Sequence, residues 1–181
     1  AYFSTGDEIL TLGEPIREGA VYDSNRYTVF GLLKRMGVDV IDMGVVPDEP
    51  AQLEAAFRTA ATQADAIITS GGVSMGEADH TKQVMKTLGD VLFWRIAMRP
   101  GRPMAIGRIT SRGHDAILFG LPGNPVAVMV TFYAFVRDAL LAMSGASAQP
   151  LPMLSAASTQ PIRKKAGRTE YQRGIVSRGG S

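Results

Sequence analysis

Apolar positions recur along this chain in alternating rhythms. From Ser24 to Met36, Tyr27, Phe30, Leu33 and Met36 fall at helical spacing, and the run stops at Gly37, a common carboxyl-terminal helix stop. Val38 to Val46 is strand-like and closes on Pro47-Asp48-Glu49-Pro50, after which Ala51 to Thr62 has helical composition. Asp65 to Ser70 reads as a strand and Asp79 to Leu88 as the helix that follows it. Val91 to Met98 and Met104 to Thr110 predict two more strands, and Ala116 to Gly120 a short buried one. The turn Leu121-Pro122-Gly123-Asn124-Pro125 then feeds a long apolar helix, Val126 to Met143. Strands alternating with helices of this length predict βαβ units, hence a three-layer α/β/α domain with a mainly parallel sheet. In such sheets the ligand crevice lies beyond the carboxyl ends of the strands. The loops Pro47–Pro50, Gly71–Asp79 and Leu121–Pro125 all follow strands, so one crevice can hold them.

The densest chemistry lies in Thr69-Ser70-Gly71-Gly72-Val73-Ser74-Met75-Gly76-Glu77-Ala78-Asp79. A short apolar run, Ala66-Ile67-Ile68, ends there in paired glycines and opens into a helix. Glycines let backbone amides approach a ligand, and a helix amino terminus offers unpaired N–H groups, so this is an anion-site pattern. A bare strand–helix turn is the plain alternative. The hydroxyls of Thr69, Ser70 and Ser74 and the acids Glu77 and Asp79 exceed what a turn requires.

Composition narrows the function classes. The chain has 181 residues, enough for one well-buried core, with 45% hydrophobic and 20% charged residues, which fits a globular protein. No apolar run is expected to reach membrane-spanning length, because Arg137 and Asp138 interrupt the last helix, and no secretory signal opens the chain. The absence of cysteine removes disulfides, thiolate metal sites and a cysteine nucleophile, and permits a cytoplasmic location. From Gln160 onward, Arg163, Lys164, Lys165, Arg168, Arg173 and Arg178 face a single acid, Glu170, a net of +5 in a chain of net +2. Residues 1–159 therefore carry a mild acidic excess. A short basic run without aromatic stacking groups is a poor nucleic-acid platform, and no nucleic-acid partner is expected.

Both ends look cut. Tyr2-Phe3-Ser4 resembles the last residues of a strand, and the composition changes after Ser144-Gly145-Ala146-Ser147 to Pro150, Pro152, Pro161 and the basic segment. The expected division is an α/β domain over 1–146, then a linker and the truncated start of a second, β-type domain over 147–181. Some thirty residues cannot bury a core of their own, so residues 151–181 are expected to be extended and packed on the main domain or a neighbouring chain.

Six motifs agree in order: Ser4-Thr5-Gly6-Asp7-Glu8, Tyr22-Asp23-Ser24-Asn25-Arg26, Val46-Pro47-Asp48, Ser70 to Asp79, Arg99-Pro100-Gly101-Arg102-Pro103 and Leu121-Pro122-Gly123-Asn124-Pro125. Over residues 2 to about 145 the chain resembles the molybdopterin-binding domain of the MoeA-type molybdopterin molybdenumtransferases, related in fold to the MogA-like proteins of molybdenum cofactor biosynthesis. Gly167-Arg168-Thr169-Glu170-Tyr171-Gln172-Arg173-Gly174 is similar to the opening of that family's small carboxyl-terminal β-domain. The resemblance implies insertion of molybdenum from molybdate into adenylylated molybdopterin, with Mg²⁺-dependent release of AMP. It also implies a cytoplasmic enzyme, a homodimer in the full-length protein, and an adenylyltransferase as a further partner.

Carried over residue by residue, the resemblance implies Glu8, Asp48 and Asp79 as catalytic groups, with Asp48 and Asp79 holding Mg²⁺. It implies Thr5, Gly71, Gly72, Ser74, Arg95, Arg99, Pro100, Gly101, Arg102, Asn124 and Pro125 as substrate-binding. The residue types suit that chemistry: molybdate and phosphate are anions needing amides and cations, and a hard metal ion needs carboxylates. Each assignment has a competitor. Asp48 and Asp79 can cap the helices that follow them, and Arg95 and Arg99 alternate with apolar residues as a solvated strand face would. An even spacing on a strand places Arg95 and Arg99 on one face, and no acid between Asp90 and Asp115 compensates the three arginines. The chain departs from the family where lysines are usual at Arg95, Arg99 and Arg102, which changes geometry while keeping charge. It also has Ala127 where relatives often carry serine.

Two other functions compete. A molybdopterin adenylyltransferase of the MogA or MoaB type has about this length, but its glycine loop typically continues with Thr-Gly, unlike Val73-Ser74-Met75-Gly76-Glu77. A gephyrin-like scaffold domain could use the same fold without catalysis; the acids at Glu8, Asp48 and Asp79 argue for an active parent enzyme, although the isolated chain is expected to be inactive.

Overall fold

The structure is a computed structural model that describes residues 1–73 and 79–177. Six strands form one sheet: β1 (Tyr2–Thr5), β2 (Asp42–Val46), β3 (Ala66–Ser70), β4 (Gly89–Arg95), β5 (Pro103–Ser111) and β6 (His114–Leu121), in the order β2-β1-β3-β6-β5-β4. β2, β1, β3 and β6 pair in parallel; β5 is antiparallel to both β6 and β4. Only β5 therefore runs against the rest. The helices are α1 (Ser24–Arg35), α2 (Pro50–Gln63), α3 (Asp79–Leu88) and α4 (Pro125–Met143).

Successive side chains on a strand point to opposite faces, and here each face meets its own helices. Phe3, Ile67, Leu118 and Ala105 pack with Leu53, Phe57 and Ala60 of α2 and Met85 and Leu88 of α3. Tyr2, Ile68, Phe119 and Met104 pack with Val29 and Leu33 of α1 and Val128, Phe132 and Val136 of α4. The result is the expected three-layer domain. Within it sits a buried hydroxyl triangle: the Tyr2 hydroxyl lies 2.8 Å from Ser4 Oγ and 2.7 Å from Ser70 Oγ, and the two serines are 3.1 Å apart. Burial pushes the Tyr2 hydroxyl pKa far up, so it stays protonated.

Local chemistry sets the helix limits. Asp23 caps α1 by accepting from Arg26 N at 3.0 Å, Lys34 and Arg35 occupy its last turn, and Gly37 follows with positive φ. Pro50 occupies the first turn of α2, where a missing N–H costs nothing. α4 contains one π-helical turn, Phe132–Val136.

Three expectations need correction. Val38 to Ile41 are not strand: β2 begins at Asp42, and its pairing with β1 shifts between Tyr2 and Ser4, where Gly44 takes positive φ. The predicted strand Val91–Met98 breaks at Arg95, because Ile96 N donates to Arg102 O and Met98 N to Ile96 O, both at 2.8 Å, doubling the chain back. Arg95 and Arg99 thus do not share a strand face. The helix Pro125–Met143 is long and apolar enough to cross a membrane by length and composition, contrary to the expectation that no run reaches that length. Its Val128, Phe132, Val136 and Leu140 are buried against the sheet and α1, as in a core helix.

The segment after α4 runs exposed and without regular structure as far as Gly167. It then returns to the main domain, where Thr169–Glu170 pairs in parallel with Met98–Arg99.

Candidate functional site

Because β4 runs in the same direction as the parallel strands, five strand ends reach one rim of the sheet. The loops after Thr5, Val46, Ser70, Leu121 and Arg95 all open there. From β2 to β4 is five strand spacings, about 24 Å at about 4.8 Å each. The rim begins with acids and ends with arginines.

At the acidic end, Asp48 is half-buried and its Oδ1 accepts from the Thr81 hydroxyl at 2.9 Å, while its own N–H donates to Asp7 Oδ1 at 3.1 Å. This bonding excludes the plain alternative for Asp48. The residue before α2 is Glu49, which makes no side-chain cap bond, so Asp48 is tied to the first turn of α3 instead. Glu8 is exposed and folds back over Gly6, where a Cβ would lie 2.6 Å from Glu8 Oε2. Asp79 is the first residue of α3; its side chain, and all of Ser74 and Glu77, lie outside the described residues.

In the middle, Gly71 N donates to Leu121 O at 3.2 Å, joining the glycine loop to the loop after β6. Gly71 has φ +92°, and a Cβ there would lie 2.2 Å from Thr5 O. Only glycine lets the two loops meet so closely. Thr5 is buried with its Oγ1 unpartnered among the described residues, as are Thr69 Oγ1, Asp23 Oδ2 and Asn25 Oδ1. Buried polar atoms are nearly always hydrogen-bonded, so four such atoms at or near one rim mark a polar site. Asn124 uses its Oδ1 to accept from Val126 N and Ala127 N, capping α4, and Pro125 is that helix's first residue.

At the basic end, Arg95, Arg99 and Arg102 are all exposed, and none of their guanidinium groups makes a hydrogen bond or ion pair among the described residues. They share the turn through the cis Arg99–Pro100 bond and Gly101. A Cβ at Gly101, whose φ is +98°, would lie 2.6 Å from Thr131 Cγ2, so the turn rests directly on α4.

Sequence reasoning missed four contributors. Thr81 and Asp7 hold Asp48, as above. Asn25 Nδ2 donates to Gly123 O at 2.7 Å, which fixes the loop after β6. Its motif had been recognised, but nothing local says that the amide is buried and turned inward. The fourth is Glu170, which a two-residue ladder from a distant part of the chain sets opposite Arg99. The local sequence indeed holds no acid between Asp90 and Asp115; Glu170 is distant in sequence and paired with the loop in space.

This rim, with glycine, acid and arginine loops at the carboxyl ends of a mainly parallel sheet, belongs to a three-layer α/β protein. Residues 1–142 match the family described as "Probable molybdopterin binding domain", and the chain belongs to that family. It is 46% identical over 173 residues to the molybdopterin molybdenumtransferase of Haemophilus influenzae, covering 95% of this chain and 42% of that protein. The crystal structure of a molybdopterin biosynthesis MoeA protein from Pyrococcus horikoshii superposes with a TM-score of 0.69 at 34% identity, over 81% of this chain and 35% of that one. MoaB from Thermus thermophilus superposes with a TM-score of 0.59 at 21% identity over 81% of this chain and 96% of its own; that likeness concerns the fold alone. The chain thus spans less than half the length of the molybdenumtransferase it matches.

Proposed function

We propose that this chain is the molybdopterin-handling domain of a cytoplasmic, homodimeric molybdopterin molybdenumtransferase, which takes adenylylated molybdopterin and molybdate and releases AMP. The observation that carries the reading is the rim itself, where acids and arginines from separate loops flank a glycine loop. An elongated substrate with a pterin, a pyrophosphate and an adenylate suits a rim of that length.

Asp48 is the group best prepared for hydrolysis. Thr81 and Asp7 fix its carboxylate and backbone, so little reordering accompanies use of the remaining oxygen. The donor set is all oxygen, which suits a hard cation. Among the described residues no three His, Asp or Glu side chains converge as a metal cage, and Mg²⁺ needs no such cage, since one or two carboxylates and substrate phosphates usually hold it. Asp48 and Asp79 would hold it here. When bound, Mg²⁺ supplies positive charge against phosphate oxygens as the pyrophosphate bond breaks. The Gly72 amide orients the anionic substrate, Gly71, whose own N–H is committed to Leu121 O, lets the loop approach it, and Thr5 offers a hydroxyl beside them. Glu8, exposed on the adjoining loop, would accept a proton from water. Arg95, Arg99 and Arg102 attract molybdate at the other end, and an adenylyltransferase would deliver the adenylylated pterin.

Asp48→Asn in the full-length parent tests this reading. AMP release should fall about a hundredfold or more, the scale of losing several kcal/mol of charge stabilisation, while the melting temperature stays near wild type. Normal turnover in a folded variant would remove Asp48 from the site.

A further inference from the structure

Three guanidinium groups stand on the short turn from Arg95 to Arg102, and like charges so placed repel. Among the described residues, the fold brings Glu170 to this turn. Thr169 N donates to Ala97 O at 2.8 Å and Tyr171 N to Arg99 O at 2.9 Å, and this ladder sets Glu170 directly opposite Arg99. Glu170 Oε1 accepts from Arg168 Nε at 2.6 Å and Oε2 from Gln172 Nε2 at 3.4 Å. Its side chain is 13% exposed, against 33% for Arg168. The bond from Arg168, with a smaller contribution from the field of Arg99, holds the carboxyl below the usual carboxylate range.

We infer that Glu170 is the internal counter-ion of the arginine loop and sets how tightly that loop holds an oxyanion. The carboxylate stays charged at neutral pH, and the ladder holds Glu170 opposite Arg99 while Arg168 bonds its carboxylate. An arriving anion is therefore attracted by the arginines and repelled by Glu170. The backbone ladder does not depend on the carboxylate, so neutralising Glu170 removes the repulsion without releasing the strand. A residue that merely positioned the loop would act with the opposite sign, since its loss would loosen the site and weaken binding. The inference rests on the reading above that this loop meets an oxyanion.

The test is calorimetric titration of molybdate into the full-length protein and its Glu170→Gln and Glu170→Asp variants, at low and high salt. Glu170→Gln should bind about two- to fivefold tighter at low salt, the range expected of one exposed charge pair, and the gain should shrink at high salt. Glu170→Asp, which keeps the charge, should bind like wild type. Hydrogen-exchange protection at the Thr169 and Tyr171 amides reports whether the ladder persists. Equal or weaker binding by Glu170→Gln with the ladder intact, or equal tightening by Glu170→Asp, overturns the inference. A second measurement does not require molybdate: a carboxyl-carbon NMR titration of Glu170 in wild type and Arg99→Ala. Glu170 should titrate below the free carboxylate range and move upward in Arg99→Ala; an ordinary titration in wild type also overturns the inference. If no form binds molybdate but the NMR shift appears, the functional reading fails and the counter-ion stands.

Discussion

The two ends of the rim are built in different ways. Asp48 is half-buried and bonded to both Thr81 and Asp7, in contact with the first turn of α3. The arginines at the other end are exposed, their guanidinium groups make no hydrogen bond among the described residues, and they hang from the β4–β5 hairpin, outside the parallel part of the sheet. A bonded, half-buried carboxylate can hold a position to the accuracy that bond cleavage needs. Exposed guanidiniums on a turn hold charge rather than position, which suits capture of a small symmetric anion. The contrast points to a division of labour, with chemistry at one end and collection at the other.

The sharpest way to break that picture is to disturb the hinge between the halves. Gly71→Ala places a Cβ against the Thr5 carbonyl at positive φ, so it should cost about 3 kcal/mol or more of stability in urea unfolding, from strain and steric conflict together. A near-neutral result would mean that the glycine loop is not pinned. Next in size is Thr81→Val, which removes the donor to Asp48 at constant volume. It should lower stability by about 1 kcal/mol and reduce AMP release at every salt concentration; a salt-dependent loss would blur the contrast. The Arg95→Ala/Arg99→Ala pair should leave the melt unchanged and weaken molybdate binding about tenfold at low salt, from two exposed charges of up to about 1 kcal/mol each. That loss should fade at high salt, and persistence at high salt would make the arginines ligands of fixed geometry.

The smallest effect concerns pH. The Glu170 carboxyl is depressed relative to its ordinary value of 4.5, so its contribution to tail docking is present above that pH and lost as pH falls through its lower folded value. Backbone bonds hold the ladder, so hydrogen exchange at Thr169 and Tyr171 should accelerate only slightly, without loss of the ladder, and only in that acidic window. Acceleration near neutral pH would assign the docking to another group.

Much of this architecture could be read from local pattern. The run Ala66-Ile67-Ile68 before two glycines gave the strand and its loop, and Gly37 and Pro50 mark helix limits within a residue or two. The gathering of acidic and glycine loops at one rim followed from strand–helix alternation. Side-chain partnerships did not. Asp48 meets Thr81, and Asn25 meets Gly123, across the fold, and no periodicity encodes which buried donor finds which acceptor. The even spacing of Arg95 and Arg99 misled because it assumed a continuous strand, whereas backbone bonds within residues 96–102 close a turn. Glu170 was visible as an acid in a basic tail, but its meaning depends on a two-residue ladder to a distant loop.

The hydroxyl triangle of Tyr2, Ser4 and Ser70 bears on how the strands choose their offset. β1 and β3 are buried on both faces, and a slide of two residues would keep every side chain on its own side of the sheet. Apolar packing alone is therefore a coarse ruler along the strand axis. The native register sets Ser4 against Ser70; a two-residue slide would set Ser4 against Ile68 and strand buried hydroxyls, at about 1–3 kcal/mol for each one left unpaired. The triangle acts as a vernier on that ruler. It makes Thr5 and Gly71 leave the sheet at the same height, and the contact between their two loops depends on that height.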